Sequence, residues 1–255
     1  MLGAIVGDMI GSVYEHRPIK TKEFPLWCDS SRFTDDTVLT VAVAAALLGD
    51  RDYAAALKEF GRSYPDAGYG TTFRSWLDSP SSEPYGSWGN GSAMRVSPVG
   101  FALDNVEEVL DEAERTAAVT HDHAEGIKGA QAVALAVFRA RNGAARASMA
   151  HELTSLFGYD LSGTPDEIRR DYHFDVSCQG SVPQALVSFL ASHSFEDAVR
   201  NAVSLGGDSD TLACVAGAVA EAYYGGVPAP LAGEARARLP GELLEVVERF
   251  ETRFG

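Results

Sequence analysis

The chain has 255 residues, 45% of them hydrophobic, and carries a formal net charge of −15 from 36 acidic and 21 basic side chains. That length and apolar fraction suffice for a sizeable core, and the chain reads as a single domain over 1–255. The acidity is the reverse of what a nonspecific nucleic-acid binder needs, and no stretch is apolar for the length of a membrane span, so neither nucleic acid nor membrane is an expected partner.

The amino-terminal segment Gly3-Ala4-Ile5-Val6-Gly7-Asp8-Met9-Ile10-Gly11 reads as a small-residue helix. Glycines at spacing four let a second helix approach closely. Asp8 inside such a helix requires hydrogen-bond partners or a neighbouring metal. Glu15 follows near the helix end, where it is either an ordinary surface acid or a proton shuttle over a site. No basic n-region of a secretory signal precedes this helix.

Next comes Thr34-Asp35-Asp36-Thr37, opening the Ala-rich run Val38–Leu48. A matching cluster, Asp208-Ser209-Asp210-Thr211, opens Asp210–Tyr224. Asp and Thr are ordinary helix N-caps, and either cluster alone fits that role. A cap needs one acid, however, and each cluster carries two, with Thr34 and Thr211 adding hydroxyls. If the two helix starts meet, the crowded carboxylates call for cations, and all-oxygen ligands suit Mg²⁺, Mn²⁺ or Ca²⁺.

Helical periodicity continues through Tyr53–Tyr64, Val106–Val119, Ala124–Ala140, Val182–Leu190, Phe195–Val203 and Gly241–Phe250. Strand-like alternation is scarce, so an all-α fold is expected. Gly and Pro gather in the connections Pro80 to Gly91, Gly158 to Pro165 and Gly225 to Pro230.

The connection Tyr85-Gly86-Ser87-Trp88-Gly89-Asn90-Gly91-Ser92-Ala93-Met94-Arg95 can turn several backbone amides toward an anionic oxygen cluster. It matches neither a Walker nor a Rossmann pattern, and an ordinary turn is the competing reading. Trp88 is either core or a stacking surface. Thr120-His121-Asp122-His123 lacks the further soft ligand that zinc would want, leaving ligand hydrogen bonding, capping or a surface role. Cys28, Cys178 and Cys214 are scattered and odd in number, which points to reduced thiols, the cytoplasm and no disulfide framework. No nucleophile elbow is present.

Seven segments, in order, resemble the ADP-ribosylglycohydrolase family, metal-dependent hydrolases that remove ADP-ribose from protein side chains. They are Gly7-Asp8 with Gly11 to Glu15, Phe33 to Thr37, Gly68-Tyr69-Gly70, Gly86 to Arg95, Thr120-His121, Ser181-Val182-Pro183, and Gly206 to Thr211. The resemblance implies a compact orthogonal multi-helix bundle with a binuclear metal cleft. It implies that Thr34, Asp35, Asp36, Asp208, Asp210 and Thr211 hold two Mg²⁺ ions, Mn²⁺ being possible, and that Glu15 and Asp35 handle protons. The ending Tyr14-Glu15 looks like that of the serine-ADP-ribose hydrolase branch.

By the same resemblance, Gly70, Ser87, Gly89, Asn90, Gly91, Ser92 and Met94 surround ADP-ribose, Trp88 stacks on adenine, and His121 reaches the distal ribose or its phosphate. The implied reaction is cleavage of the N- or O-glycosidic bond between ADP-ribose and a protein side chain or small conjugate. A monomer is expected. The alternatives are a non-catalytic ADP-ribose or nucleotide-binding module, a binuclear-metal nucleotide phosphohydrolase, and a structural helical protein on the same fold.

Overall fold

The computed structural model describes residues 1–255. In chain order its helices are α1 (Leu2–Gly11), α2 (Asp35–Leu48), α3 (Tyr53–Ser63), α4 (Thr71–Asp78) and α5 (Gly91–Met94), followed by α6 (Ser97–Ala102), α7 (Val106–Ala118), α8 (Ala124–Arg141), α9 (Arg146–Phe157) and α10 (Pro165–Asp171). The last five are α11 (Cys178–Leu190), α12 (Phe195–Ser204), α13 (Ser209–Tyr224), α14 (Ala229–Arg238) and α15 (Gly241–Phe254). The protein is an all-α multi-helix bundle. Its one trace of sheet is an antiparallel bridge between Gly89 and Ser177.

Burial sorts the helices as their sequences require. All ten residues of α1 are buried, and α13 is buried without interruption from Ser209 to Ala220, as expected of helices apolar on every side. The outer helices bury one stripe each. That stripe is Val109, Glu112, Ala113, Thr116 and Ala117 in α7, and Leu243, Val246, Val247 and Phe250 in α15. One core cluster unites 70 buried hydrophobic residues.

The packing of α1 on α13 positions the functional cleft. A Cβ added to Gly3, Gly7 or Gly11 would lie 2.3, 2.0 or 2.3 Å from the backbone oxygens of Gly217, Ala213 and Ser209 respectively. The two series run in opposite directions at the same spacing of four, so the helices are antiparallel and in backbone contact. Only hydrogen fits at those three positions. The close approach brings the end of α1 beside the start of α13.

The segments legible from periodicity are helices, with bounds shifted by a few residues. Five others, α4, α6, α9, α10 and α14, lie outside the segments that periodicity predicts, and the glycine loop leads into the four-residue α5. Pro98 then begins a separate short helix, because proline lacks the amide to continue one but suits a first turn. The same property starts α14 inside the expected connection Gly225 to Pro230. All three cysteines are free thiols, and no helix is long and apolar enough to cross a membrane.

Candidate active site

Two helix starts form the floor of the cleft, and neither uses its paired acids as side-chain caps. Thr34 is the N-cap of α2, its Oγ1 accepting from the Asp36 amide at 3.2 Å and donating to Asp8 Oδ1 at 2.7 Å. Asp8 Oδ2 accepts from the amides of Thr34 and Thr37 at 2.9 and 3.1 Å, and from the Thr37 hydroxyl. Asp8 is therefore a fully satisfied buried acid that ties α1 to α2. With capping assigned to Thr34, Asp35 and Asp36 are not needed for it. At the other start, Asp208 occupies the N-cap position of α13 but makes no cap bond. Its Oδ2 instead accepts from Asn90 Nδ2 at 2.7 Å.

The two acidic clusters meet. Thr211 Oγ1 donates to Asp36 Oδ1 at 3.4 Å across 175 positions of sequence. Carboxylate oxygens of Glu15, Asp208 and Asp210 all lie within 4.8 Å of one another. Glu15 reaches them from the turn beyond α1, four residues after the helix ends. No Lys or Arg pairs with Asp8, Asp35, Asp36, Asp208 or Asp210. The remaining buried acid, Glu112, shows the usual solution: Arg51 and Arg115 stand 2.7 and 3.0 Å away, and Tyr53 Oη donates at 2.6 Å.

Without such partners the cluster resists ionisation. Burial, then the charges of Asp8, Asp35 and Asp208, holds Asp36 well above the ordinary carboxylate range. Burial and the Asp208 and Asp36 charges do the same to Asp210. Asp35 is pushed up to about 8 by burial and Asp8, and burial raises Asp208 against the opposing Asn90 bond. Glu15 is raised by burial and by Asp208, with His16 and Arg32 pulling the other way. Asp36 Oδ2 is buried and has no hydrogen-bond partner at all. An orphaned oxygen, unpaired carboxylates and converging hard donors fit an oxygen-ligated divalent cation.

Above this floor lies a cleft of about 390 Å³ whose opposite wall is the glycine loop. The loop is stitched to the segment before α11: the Asn90 amide donates to Val176 O at 2.7 Å and the Cys178 amide to Trp88 O at 3.0 Å. The amides of Gly86, Ser87, Gly89 and Asn90 are all committed, to Asp122 Oδ1, Thr120 O, Ser87 Oγ and Val176 O. Those of Trp88, Gly91 and Ser92 have no backbone or side-chain partner, and of these three residues Gly91 lines the cleft. His121 is 4% exposed, and a Cβ on Gly91 would lie 3.2 Å from its Nε2. Burial and the Arg95 charge hold its imidazole well below its ordinary pKa, so the ring is neutral. Trp88, Phe174 and Val176 are about half exposed and gather at the mouth.

The family model for ADP-ribosylglycohydrolase matches residues 1–254. The chain belongs to the ADP-ribosylglycohydrolase family. ADP-ribosylhydrolase ARH3 of Homo sapiens is 29% identical over 307 residues, covering 88% of this chain and 84% of that protein. ADP-ribosylarginine hydrolase Tri1 of Pseudomonas putida (strain GB-1) is 26% identical over 258 residues, covering 88% and 69%. A solved structure, an ADP-ribosylglycohydrolase-related protein complex, matches with a TM-score of 0.73 at 25% identity, covering 100% of this chain and 97% of its own. The protein is thus a hydrolase of the ADP-ribosyl class.

In this ADP-ribosylglycohydrolase, Glu15, Asp35, Asp36, Asp208, Asp210 and Thr211 line one cleft, together with Gly70, Ser87, Gly89, Asn90, Gly91, Met94 and His121. Three expected residues sit elsewhere. Thr34 lies beneath the floor with its hydroxyl proton and one lone pair committed. Ser92 is fully buried behind the loop and turns its hydroxyl to Gly126 O at 2.7 Å. Trp88 flanks the cleft in a shallow adjoining depression. The lining also includes Tyr85, Arg95, Phe174 and Val176, which were not singled out as site residues. Tyr85 and Arg95 bound the glycine segment and were within reach of a sequence reading. Phe174 and Val176 carry no motif; only their pairing with the loop brings them in.

Proposed function

We propose that the protein is a divalent-metal-dependent ADP-ribosyl hydrolase that cleaves the glycosidic bond between ADP-ribose and a protein side chain or small conjugate, releasing ADP-ribose. The observation that carries this reading is the buried carboxylate cluster, unpaired by any Lys or Arg and facing a glycine loop. Asp35, Asp36, Asp208, Asp210 and Thr211 would hold two ions, Mg²⁺ or Mn²⁺, with Thr34 supporting from below through Asp36. Bound there, the ions would orient the ribose hydroxyls and lower the pKa of a water.

The chain's own groups divide the remaining work. The amide of Gly91 supplies a donor for the diphosphate, and His121 adds one at the loop's inner edge. Trp88, Phe174 and Val176 offer apolar surface at the mouth for the adenine. Departure of the side chain through an oxocarbenium-like state needs proton transfer at both ends. Glu15 and Asp35 are the acids of the cluster that keep partial exposure, so they are the ones able to pass a proton between substrate and solvent. One continuous core supports reading residues 1–255 as a single domain, and the scattered free thiols agree with a cytoplasmic location.

The relatives leave the linkage open, since the name of Tri1 specifies arginine and that of ARH3 specifies none. The deciding experiment is ADP-ribose release from matched serine-linked and arginine-linked peptides, with Mg²⁺ and with chelator, products identified by mass. Intact ADP-ribose from one peptide, lost with chelator, supports the proposal and names the linkage. Inorganic phosphate as product would instead make the protein a nucleotide phosphohydrolase.

A further inference from the structure

Arg95 is the largest fully buried side chain in the protein, and no carboxylate answers its charge. Its Nη2 donates to Thr116 O at 2.9 Å and to Thr120 Oγ1 at 2.8 Å, while Nε and Nη1 have no partner. Thr120 Oγ1 in turn lies 2.7 Å from His121 Nδ1. A guanidinium has donors only, so the threonine oxygen must accept from it. An oxygen already polarised by the guanidinium is a better donor than acceptor toward the ring, so the hydroxyl proton of Thr120 is directed to Nδ1, which becomes the acceptor.

With Nδ1 accepting, the ring's one proton resides on Nε2. That nitrogen has no partner in the protein and faces Gly89 and Gly91, whose added Cβ atoms would lie 3.7 and 3.2 Å from it. The opposite tautomer would turn a ring N–H toward a hydroxyl already polarised by a buried cation, with the guanidinium behind it.

We infer that Arg95 is a positioning residue which, through Thr120 Oγ1, locks His121 as the neutral Nε2–H tautomer, so that the imidazole presents a donor to an acceptor oxygen of the ligand over the Gly89–Gly91 loop. The choice of tautomer comes from the polarisation of Thr120 by the guanidinium; the ligand contact rests on the function proposed above. A donor at that point selects for an acceptor-only group such as a phosphate oxygen. It also explains why a buried, unpaired arginine stands beside the cleft of a protein with net charge −15: its role is to orient a neighbour, and a carboxylate partner would weaken the polarisation of Thr120.

The test is long-range ¹⁵N–¹H correlation of the histidine rings in the full-length protein, with His121→Gln assigning the signals, alongside calorimetry with ADP-ribose. The wild type should show the neutral Nε2–H pattern for His121. Thr120→Val, similar in shape without the hydroxyl, should lose that single pattern and weaken ADP-ribose about tenfold. Thr120→Ser should restore both, and Arg95→Lys should disturb the pattern if it folds, as judged by its melting transition. An Nδ1–H pattern in the wild type, or a pattern unchanged in folded Thr120→Val, overturns the inference. A wild type that binds no ADP-ribose would defeat the proposed function while the spectra still decide the tautomer.

Discussion

Asn90 Nδ2 stands 2.7 Å from Asp208 Oδ2, so the glycine loop and the acidic floor are one hydrogen-bonded unit joined across 118 positions of sequence. The same amide group also donates to Ser181 Oγ at 3.1 Å, and the backbone amide of Asn90 is engaged with Val176. Both nitrogens of this residue are therefore occupied within the protein, one of them holding Asp208 in place, and its side-chain oxygen is the group left for a ligand. Asn90→Ala should weaken Mn²⁺ or Mg²⁺ binding about 10- to 100-fold, the range for losing a hydrogen-bonded partner of a metal-ligating carboxylate. Titration calorimetry with the metal alone reads this directly; an unchanged metal affinity would make Asn90 a structural part of the loop only.

Metal should stabilise the fold. At a free Mg²⁺ concentration 100 times its dissociation constant, one site adds about 2.7 kcal/mol, and chelator removes it. Asp36→Asn should abolish that response and at the same time raise the melting temperature in chelator, because it deletes a buried charge that nothing in the protein compensates. Thermal scans of both proteins with and without metal make the comparison. A variant less stable than the wild type in chelator would show that the charge is already compensated.

Glu15→Gln should leave ADP-ribose affinity within a few-fold of wild type while lowering turnover by about 10² to 10⁴, the usual weight of a positioned acid or base. Asp210→Ala should remove turnover and metal binding together. Steady-state release assays paired with calorimetry separate the two. Normal turnover in Asp210→Ala is the result that would sink the metal-centred reading.

The helix interface makes a sharper structural prediction. Gly7→Ala places a methyl 2.0 Å from Ala213 O, which forces α1 away from α13 at a cost of about 3 kcal/mol or more. A drop of roughly 6–12 °C in melting temperature should follow. Gly233→Ala, in α14 with nothing within 4 Å of the added Cβ, should be neutral or slightly stabilising. Equal effects at the two sites would contradict the packing described.

His121 predicts a pH dependence. Burial and Arg95 lower its folded-state pKa, whereas the unfolded chain takes up a proton near the ordinary value of about 6.5. Below that pH the unfolded state binds more protons, so the His121 contribution to stability falls as pH falls, by about 1.4 kcal/mol per unit until the folded-state pKa is reached. The raised carboxylates act in the opposite direction, which is why the comparison must be differential. His121→Gln should lose less stability than the wild type between pH 7 and 5 in denaturant titrations. Parallel curves would show that His121 titrates normally.

The sequence by itself determined the helical class and much of the site's composition. Stripes such as Leu243, Val246, Val247 and Phe250 recur at helical spacing, and local periodicity is sufficient to dictate a helix that buries one face. The doubled acids at Asp35-Asp36 and Asp208–Asp210 likewise exceeded what capping needs, and Thr34 does supply the α2 cap that frees them. What the sequence left open was every relation between distant segments. Gly3, Gly7 and Gly11 announced a close approach without naming Gly217, Ala213 and Ser209 as the partners. Ser92 gave no sign that its hydroxyl is spent on Gly126, nor Asn90 that its amide nitrogen is spent on Asp208 and Ser181. Phe174 and Val176 carried no pattern, and Arg95, Thr120 and His121, though each lies in a motif, gave no sign of being joined. Hydrogen bonds are directional and short-ranged, and each polar group has few of them to give. Which groups remain free for a ligand is decided only when packing fixes which neighbours have already claimed the rest.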